Sequence, residues 1–207
     1  MTSWRNCGFA VVDVETTGLD SYTHEVLSIG IVHIDDGRIP VSAAYYKEIR
    51  PDVPPTRETI VVHGIVPSRA AVAESRSDIG PMVLDQINGR VLVAHVASIE
   101  LTFLANWLGP LGWRAPRLVI DTDVLARRWL SDEIGIQLKS HIGLGAAAQL
   151  FGLPEERRHH ALGDALTTAQ LFLALARRFG DGNLSPSRLG RLRPRSHRWR
   201  RTGARSS

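Results

Sequence analysis

The chain of 207 residues contains a single cysteine, Cys7, so no intramolecular disulfide is possible; such usage points to a reducing compartment. No apolar run approaches the ~18–20 residues of a membrane span. A cleavable leader is not expected, because Asp13 and Glu15 interrupt the first apolar stretch. These absences predict a cytoplasmic protein with no membrane partner. Lysine is nearly missing: only Lys47 and Lys139 stand beside 23 arginines, a bias that base composition explains without function. Acids are missing from one region only. Between Ser185 and Ser207 there are eight arginines and no carboxylate. Removing those eight from the 25 basic residues leaves 17 against 21 acids, so the body is mildly acidic and the tail strongly basic.

What is present reads as one well-filled domain over residues 1–182, followed by a basic tail over 183–207. The tail is rich in Ser, Pro, Gly and Arg, and it carries too little apolar surface to offset the entropy of ordering, so disorder is expected. Within the body, Phe9–Val14 has the pattern of a buried strand. "VLSIGIVHIDDGRI" is a strand with a turn at Asp36-Gly37, and "SAAYYKEI" returns from it, antiparallel. Prolines 51, 54 and 55 open a loop, and "RVLVAH" and "RLVIDT" are short buried strands. "SIELTFLANWLG" has helical period, with Ile99, Phe103 and Trp107 on one face and Ser98 placed as the N-cap. Helices follow at "DTDVLARRWL", "LGAAAQLFGL" and "HALGDALTTAQLFLALARRFG". The last closes with Arg177 and Arg178 in its final turn and Gly180 beyond. An α/β fold follows, a mixed sheet flanked by helices.

The stretch "FAVVDVETTGLD" sets the chemical question. Asp13 and Glu15 are two apart on a strand, so they point to the same side, with Cα atoms ~7 Å apart. Like charges on one face repel unless a cation lies between them. Carboxylate oxygens are hard ligands suited to magnesium or manganese; the alternative is a solvated strand end. Glu100 lies in the first turn of its helix, after a strand, and Asp164 in the first turn of the last helix. His159 lies five residues before Asp164, about 140° away on a continuous helix. The two can converge only if His159 is on the loop leading in, which "PEERRHHA" permits.

Taken together, "VVDVETTGLD", "VHGI", "VLVAHVASIELTFL", "VIDTDVLARR" and "HHALGDALTTAQLFL" resemble, in order and spacing, the motifs of DEDDh-type 3′→5′ exonucleases. That family includes the proofreading epsilon subunit of bacterial DNA polymerase III. The likeness covers roughly residues 8 to 178. It implies a ribonuclease H-like mixed five-stranded sheet, with one antiparallel strand in its centre and helices on both faces. It also implies two divalent cations, Mg2+ or Mn2+, held by Asp13, Glu15, Glu100 and Asp164, with His159 as general base. Thr16, Thr17 and Gly18 resemble the segment lining the 3′-terminal nucleotide. His63, with Ile65 beside it, resembles a residue that holds that nucleotide, although a plain turn role suits His63 equally. The implied activity is stepwise release of nucleoside 5′-monophosphates from single-stranded or frayed 3′ ends of DNA, with RNA not excluded. Implied partners are nucleic acid and a DNA polymerase or another replication or repair protein. Two cations about 3.5–4 Å apart suit hydrolysis of a phosphodiester, because they hold both the attacking and the departing oxygen. An imidazole, with an ordinary pKa of ~6.5, takes the proton at neutral pH.

Three positions depart from the family pattern "AHNAxFDxxFL": Val96 replaces its asparagine, Ile99 its phenylalanine in a harmless apolar exchange, and Glu100 its aspartate. Displacing a catalytic group by ~1 Å can cost about 10²-fold in rate. The alternative reading is therefore a catalytically weakened nucleic-acid-binding or polymerase-associated scaffold. Asp121 is expected to cap a helix rather than bind metal, and His95 reads equally as a satisfied core histidine. The arginine-rich tail with Trp199 could contact phosphates and bases, or be a solvated extension.

Overall fold

The computed structural model describes residues 2–40, 42, 44–154, 156–180 and 184–193. Strand β1 (Phe9–Thr16) is followed by β2 (Val26–Ile34) and β3 (Ala44–Arg50), then by helices α1 (Arg57–His63) and α2 (Pro67–Ala70). A short β4 (Glu74–Ser75) leads into α3 (Arg76–Ile87), β5 (Val91–Ala94), α4 (Ser98–Leu108) and β6 (Val119–Asp121). Helices α5 (Thr122–Glu133), α6 (Leu144–Leu150), α7 (Ala161–Gly180) and α8 (Pro186–Leu189) follow within the described residues. Among the described residues, no helix is long and apolar enough to cross a membrane.

The sheet runs β4-β3-β2-β1-β5-β6. Only β2 is antiparallel to its neighbours, as the family resemblance implies. Its return turn is set by Asp36 (φ 51°) and Gly37 (φ 66°), the left-handed pair that a two-residue hairpin requires. The sixth strand, β4, pairs two residues with β3, too few to leave a pattern in sequence.

Alternation along β1 divides the interior into two layers. Phe9 and Val11 join α5, α6 and α7 in one core, which contains Leu125, Ala165 and Phe172. Ala10 and Val12 face the other, built on Ile79 and Val83 of α3 and Phe103 and Leu108 of α4. Asp13 and Glu15 continue the odd-numbered face, so they emerge toward α7.

Three expectations are corrected. Ser98 is the first helical residue of α4 rather than its cap; Ala97 holds that position with no side-chain bond. Ile99 is exposed, because the buried stripe is instead Glu100, Phe103, Leu104, Trp107 and Leu108, at spacings of three and four. Residues 184–193, within the expected tail, are ordered. Ser185 caps α8, Pro186 occupies its first turn, and Leu189 is fully buried in the α7-side core, with Leu184 and Leu192 packed around it. Three leucines spaced through 184–192 supply the apolar contact that bulk composition concealed. Residues 194–207, with Trp199, lie outside the described residues.

The start of α7 comes exceptionally close to the sheet. Asp13 pairs with Gly30 on β2, and a Cβ at Gly30 would overlap the Ala161 carbonyl group. Glycine here lets the helix settle beside Asp13. Gly30→Ala should therefore destabilise the fold by about 1–3 kcal/mol through overpacking, read as a lowered urea midpoint with unchanged m-value.

Candidate active site

At the C-terminal ends of the parallel strands lie Asp13 and Glu15 on β1, Glu100 in the first turn of α4 after β5, and Asp121 at the end of β6. Asp13, Glu15 and Asp164 each offer a carboxylate oxygen, and these atoms all lie within 4.8 Å of one another. All three side chains are half-buried. Asp164 arrives from α7, one turn past the close approach at Gly30. Its carboxylate accepts the His159 backbone N–H at 2.9 Å. His159 lies on the loop before the helix, in a left-handed conformation (φ 55°), with its ring exposed. The loop geometry expected from the His-to-Asp spacing is present.

Glu100 is placed differently. It is buried at the base of α4, and its Oε2 has no hydrogen-bond partner. It is not among the three carboxylates that share the 4.8 Å group. It is near enough to be the strongest charge acting on Asp13. Burial, then Glu100, Asp164 and Glu15 in that order, holds the Asp13 carboxyl well above its usual range. Burial and Asp164 push Glu15 up to about 7. Burial is also the main cause that raises Glu100 to about 8, and Asp164 is raised by burial as well. Together these acids lack sufficient positive charge. Three carboxylates offering only oxygen donors, with the unpaired Glu100 oxygen buried nearby, fit a hard divalent cation.

The other acids nearby are satisfied. Asp121 caps α5, accepting from the Asp123 and Val124 N–H groups, and it also accepts from Val96 and Ala97. Asp123, fully buried, accepts from Arg127, His141 and the Ile142 N–H. Together these contacts outweigh burial and lower its pKa. His95 bonds Thr122 Oγ1 at 2.9 Å and the Ile142 carbonyl at 2.8 Å. It is therefore a structural histidine, and Nε2 must donate because a carbonyl only accepts.

The segment expected to line a nucleotide is divided in role. Thr17 is fully buried; its hydroxyl accepts the Glu25 N–H, and its carbonyl accepts from Thr56 N–H and Thr59 Oγ1. Gly18 lies beneath the His24 ring, where a Cβ would clash. Both shape the loop and leave no side chain for a ligand, while Thr16 bonds the Gly18 carbonyl at 2.7 Å. A bulge between Glu15 and Thr16 pushes Leu27 into a small apolar cluster with Ile65 and Ala70. Ile65 is thereby buried as an anchor of the loop. His63 accepts the Ile65 N–H through Nδ1, and its buried Nε2 has no partner. Leu19 and Tyr22, not singled out from sequence, are each 94% exposed on the loop after Gly18. An apolar residue between Gly18 and Asp20, in an otherwise polar turn, was the available signal.

The α/β sandwich and a carboxylate cluster suited to hard cations define a ribonuclease H-like class of domain. An exonuclease family model, of the RNase T type, matches residues 10–172. DNA polymerase III PolC-type of Thermotoga petrophila is 34% identical over 175 residues, covering 83% of this chain and 12% of that protein. The DNA polymerase III subunit epsilon-like protein of Rhodobacter capsulatus is 34% identical over 170 residues, covering 81% of this chain and 23% of that protein. E. coli Exonuclease I, solved with a dT13 oligonucleotide, superposes with a TM-score of 0.67 at 14% identity. That match covers 81% of this chain and 40% of the other. The chain belongs to the DEDDh-type 3′→5′ exonuclease family, related to the epsilon-like proteins of DNA polymerase III. It spans less than a quarter of the length of either curated relative.

Raised carboxylate pKa values mean that the folded state holds these protons more tightly than the unfolded chain. Their contribution to stability is complete below the unfolded values and is lost as pH rises through about 7 for Glu15 and about 8 for Glu100. Metal-free protein should therefore melt at a lower temperature at about pH 9 than at about pH 6. Millimolar Mn2+ should raise the melting temperature more at the higher pH, because binding requires ionised carboxylates. Differential scanning calorimetry at both pH values checks the sign.

Val96 has a left-handed backbone (φ 62°) that β-branched residues rarely adopt and asparagine tolerates. Val96→Asn should stabilise the protein by about 1 kcal/mol, measured by denaturant unfolding.

Proposed function

We propose that this protein is a divalent-cation-dependent 3′→5′ exonuclease that releases nucleoside 5′-monophosphates from single-stranded or frayed DNA ends. The observation that carries this reading is the gathering of Asp13, Glu15 and Asp164 ligand atoms within 4.8 Å. Asp13, Glu15, Asp164 and Glu100 would hold two Mg2+ or Mn2+ ions, and these would polarise the scissile phosphate and acidify a bound water. His159 is held through its N–H on Asp164, with its ring open to solvent, where it can take a proton from attacking water. His63, its ring fixed by the Ile65 N–H on Nδ1, would help to hold the terminal nucleotide. Thr16 lines the approach, and exposed Leu19 offers an apolar face for a base. The relative of known structure that was solved with an oligonucleotide supports a single-stranded substrate. The polymerase relatives support a role beside a replication or repair protein.

A second reading, a weakened enzyme acting as a nucleic-acid-binding scaffold, draws on one observation. Glu100 lies outside the tight carboxylate group. A 3′-labelled single strand separates the two readings. Metal-dependent mononucleotide release that drops at least about 100-fold in Asp13→Ala supports the enzyme; binding without cleavage supports the scaffold. Under the first reading, Glu100→Asp lowers turnover, because the helix is already set for the longer side chain. A rise above about tenfold would favour the second reading.

A further inference from the structure

The α7 face of the sheet carries a row of residues in register: Asp13 on β1, Gly30 on β2 and Tyr46 on β3. Ala161 is seated over Gly30, in the middle of that row. The segment starting α7 therefore has Asp13 on one side and Tyr46 on the other. His160, immediately before Ala161, stacks on Tyr46 with ring centroids 4.4 Å apart and planes 23° from parallel.

We propose that Tyr46 is a positioning residue: its ring holds His160, and through it the turn that carries His159 and the helical start that carries Asp164. His160 is bonded into both parts. Its carbonyl accepts the Asp164 N–H at 3.0 Å, while the Asp164 carboxylate accepts the N–H of His159. A shift of His160 therefore moves the ligand and the base together. Tyr46 is itself fixed from below. Its hydroxyl donates to Glu48 Oε1 at 2.9 Å, and Glu48 also receives Arg69 of α2 through Nε at 2.8 Å and through Nη2. Burial and Glu48 raise the Tyr46 phenol to about 12, so it remains a donor at any working pH. A leucine at 46 would fill the space, but it would offer no flat surface parallel to the imidazole. The left-handed backbone of His159 is a conformation that its surroundings must enforce, and the stack supplies a fixed neighbour on the side away from Asp13.

This inference deepens the nuclease reading and rests on it for its rate effects; its metal-binding effect can be tested apart from turnover. The full chain with Tyr46→Ala and with Tyr46→Phe is compared with wild type, by steady-state kinetics on a 3′-labelled single strand and by calorimetric Mn2+ titration. Tyr46→Ala is expected to lower kcat about 10- to 100-fold, with KM within about threefold, and to weaken Mn2+ binding about tenfold. Tyr46→Phe keeps the ring and should recover most of both. If kcat and Mn2+ affinity stay within about twofold in Tyr46→Ala, or if Phe loses as much as Ala, the assignment is overturned. Should Tyr46→Ala not fold, His160→Ala removes the stack from the opposite side and must show the same losses, or the proposal fails. If the wild type binds Mn2+ but releases no nucleotide, the nuclease reading alone fails and the titration still decides the role of Tyr46. A wild type that binds no Mn2+ overturns both.

Discussion

Three carboxylates held within a few ångströms in a half-buried setting impose the constraint around which the rest of this protein is arranged. Asp13 and Glu15 are where they are because β1 alternates, and its odd-numbered side continues from Phe9 and Val11 toward α7. Asp164 reaches them because Gly30 lets the helix approach the sheet without a side chain between. Each contact that tightens the cluster also increases its repulsion, which adds to burial in raising Asp13 and Glu15, while Asp164 is raised by burial against the pull of neighbouring basic groups. A divalent cation removes that repulsion; protonation is the only other relief available to the same geometry.

The acids of this sheet edge divide by what they accept. Asp121 takes four backbone N–H groups and Asp123 an arginine, a histidine and a backbone N–H. These two are complete and serve to fasten β5, α5 and the loop at Ile142. Glu100 Oε2 accepts nothing, and Asp164 accepts one N–H from the neighbouring loop. Residue type cannot separate the two groups; hydrogen-bond supply can. The same test shows Thr17, Gly18 and Ile65 engaged in the architecture of the loop.

Much of the fold was legible because its signals are local. The apolar run of β1, the Asp36-Gly37 turn and the helical period after Asp164 depend on a few neighbouring residues. The departure of His159 from helical geometry was likewise readable from a spacing of five. Other features failed for want of a local cause. Ile99 and Glu100 are adjacent on a helix, and which of them is buried depends on where the sheet ends, not on their own character. Counting from Phe103, Leu104, Trp107 and Leu108 would have put Glu100 in the buried stripe. The order in 184–193 escaped because arginine dominates the composition, whereas three leucines make the contact.

By itself, the sequence determined the five longer strands, the helices α4 to α7, the family and the identity of the acids, since periodicity, turn chemistry and motif order lie along the chain. Tertiary structure alone decided which acids share a site, which are spent on capping, and that Tyr46 meets His160. Those outcomes depend on strand register and on the clearance at Gly30, distances between residues far apart in the chain, and no local pattern encodes a distance.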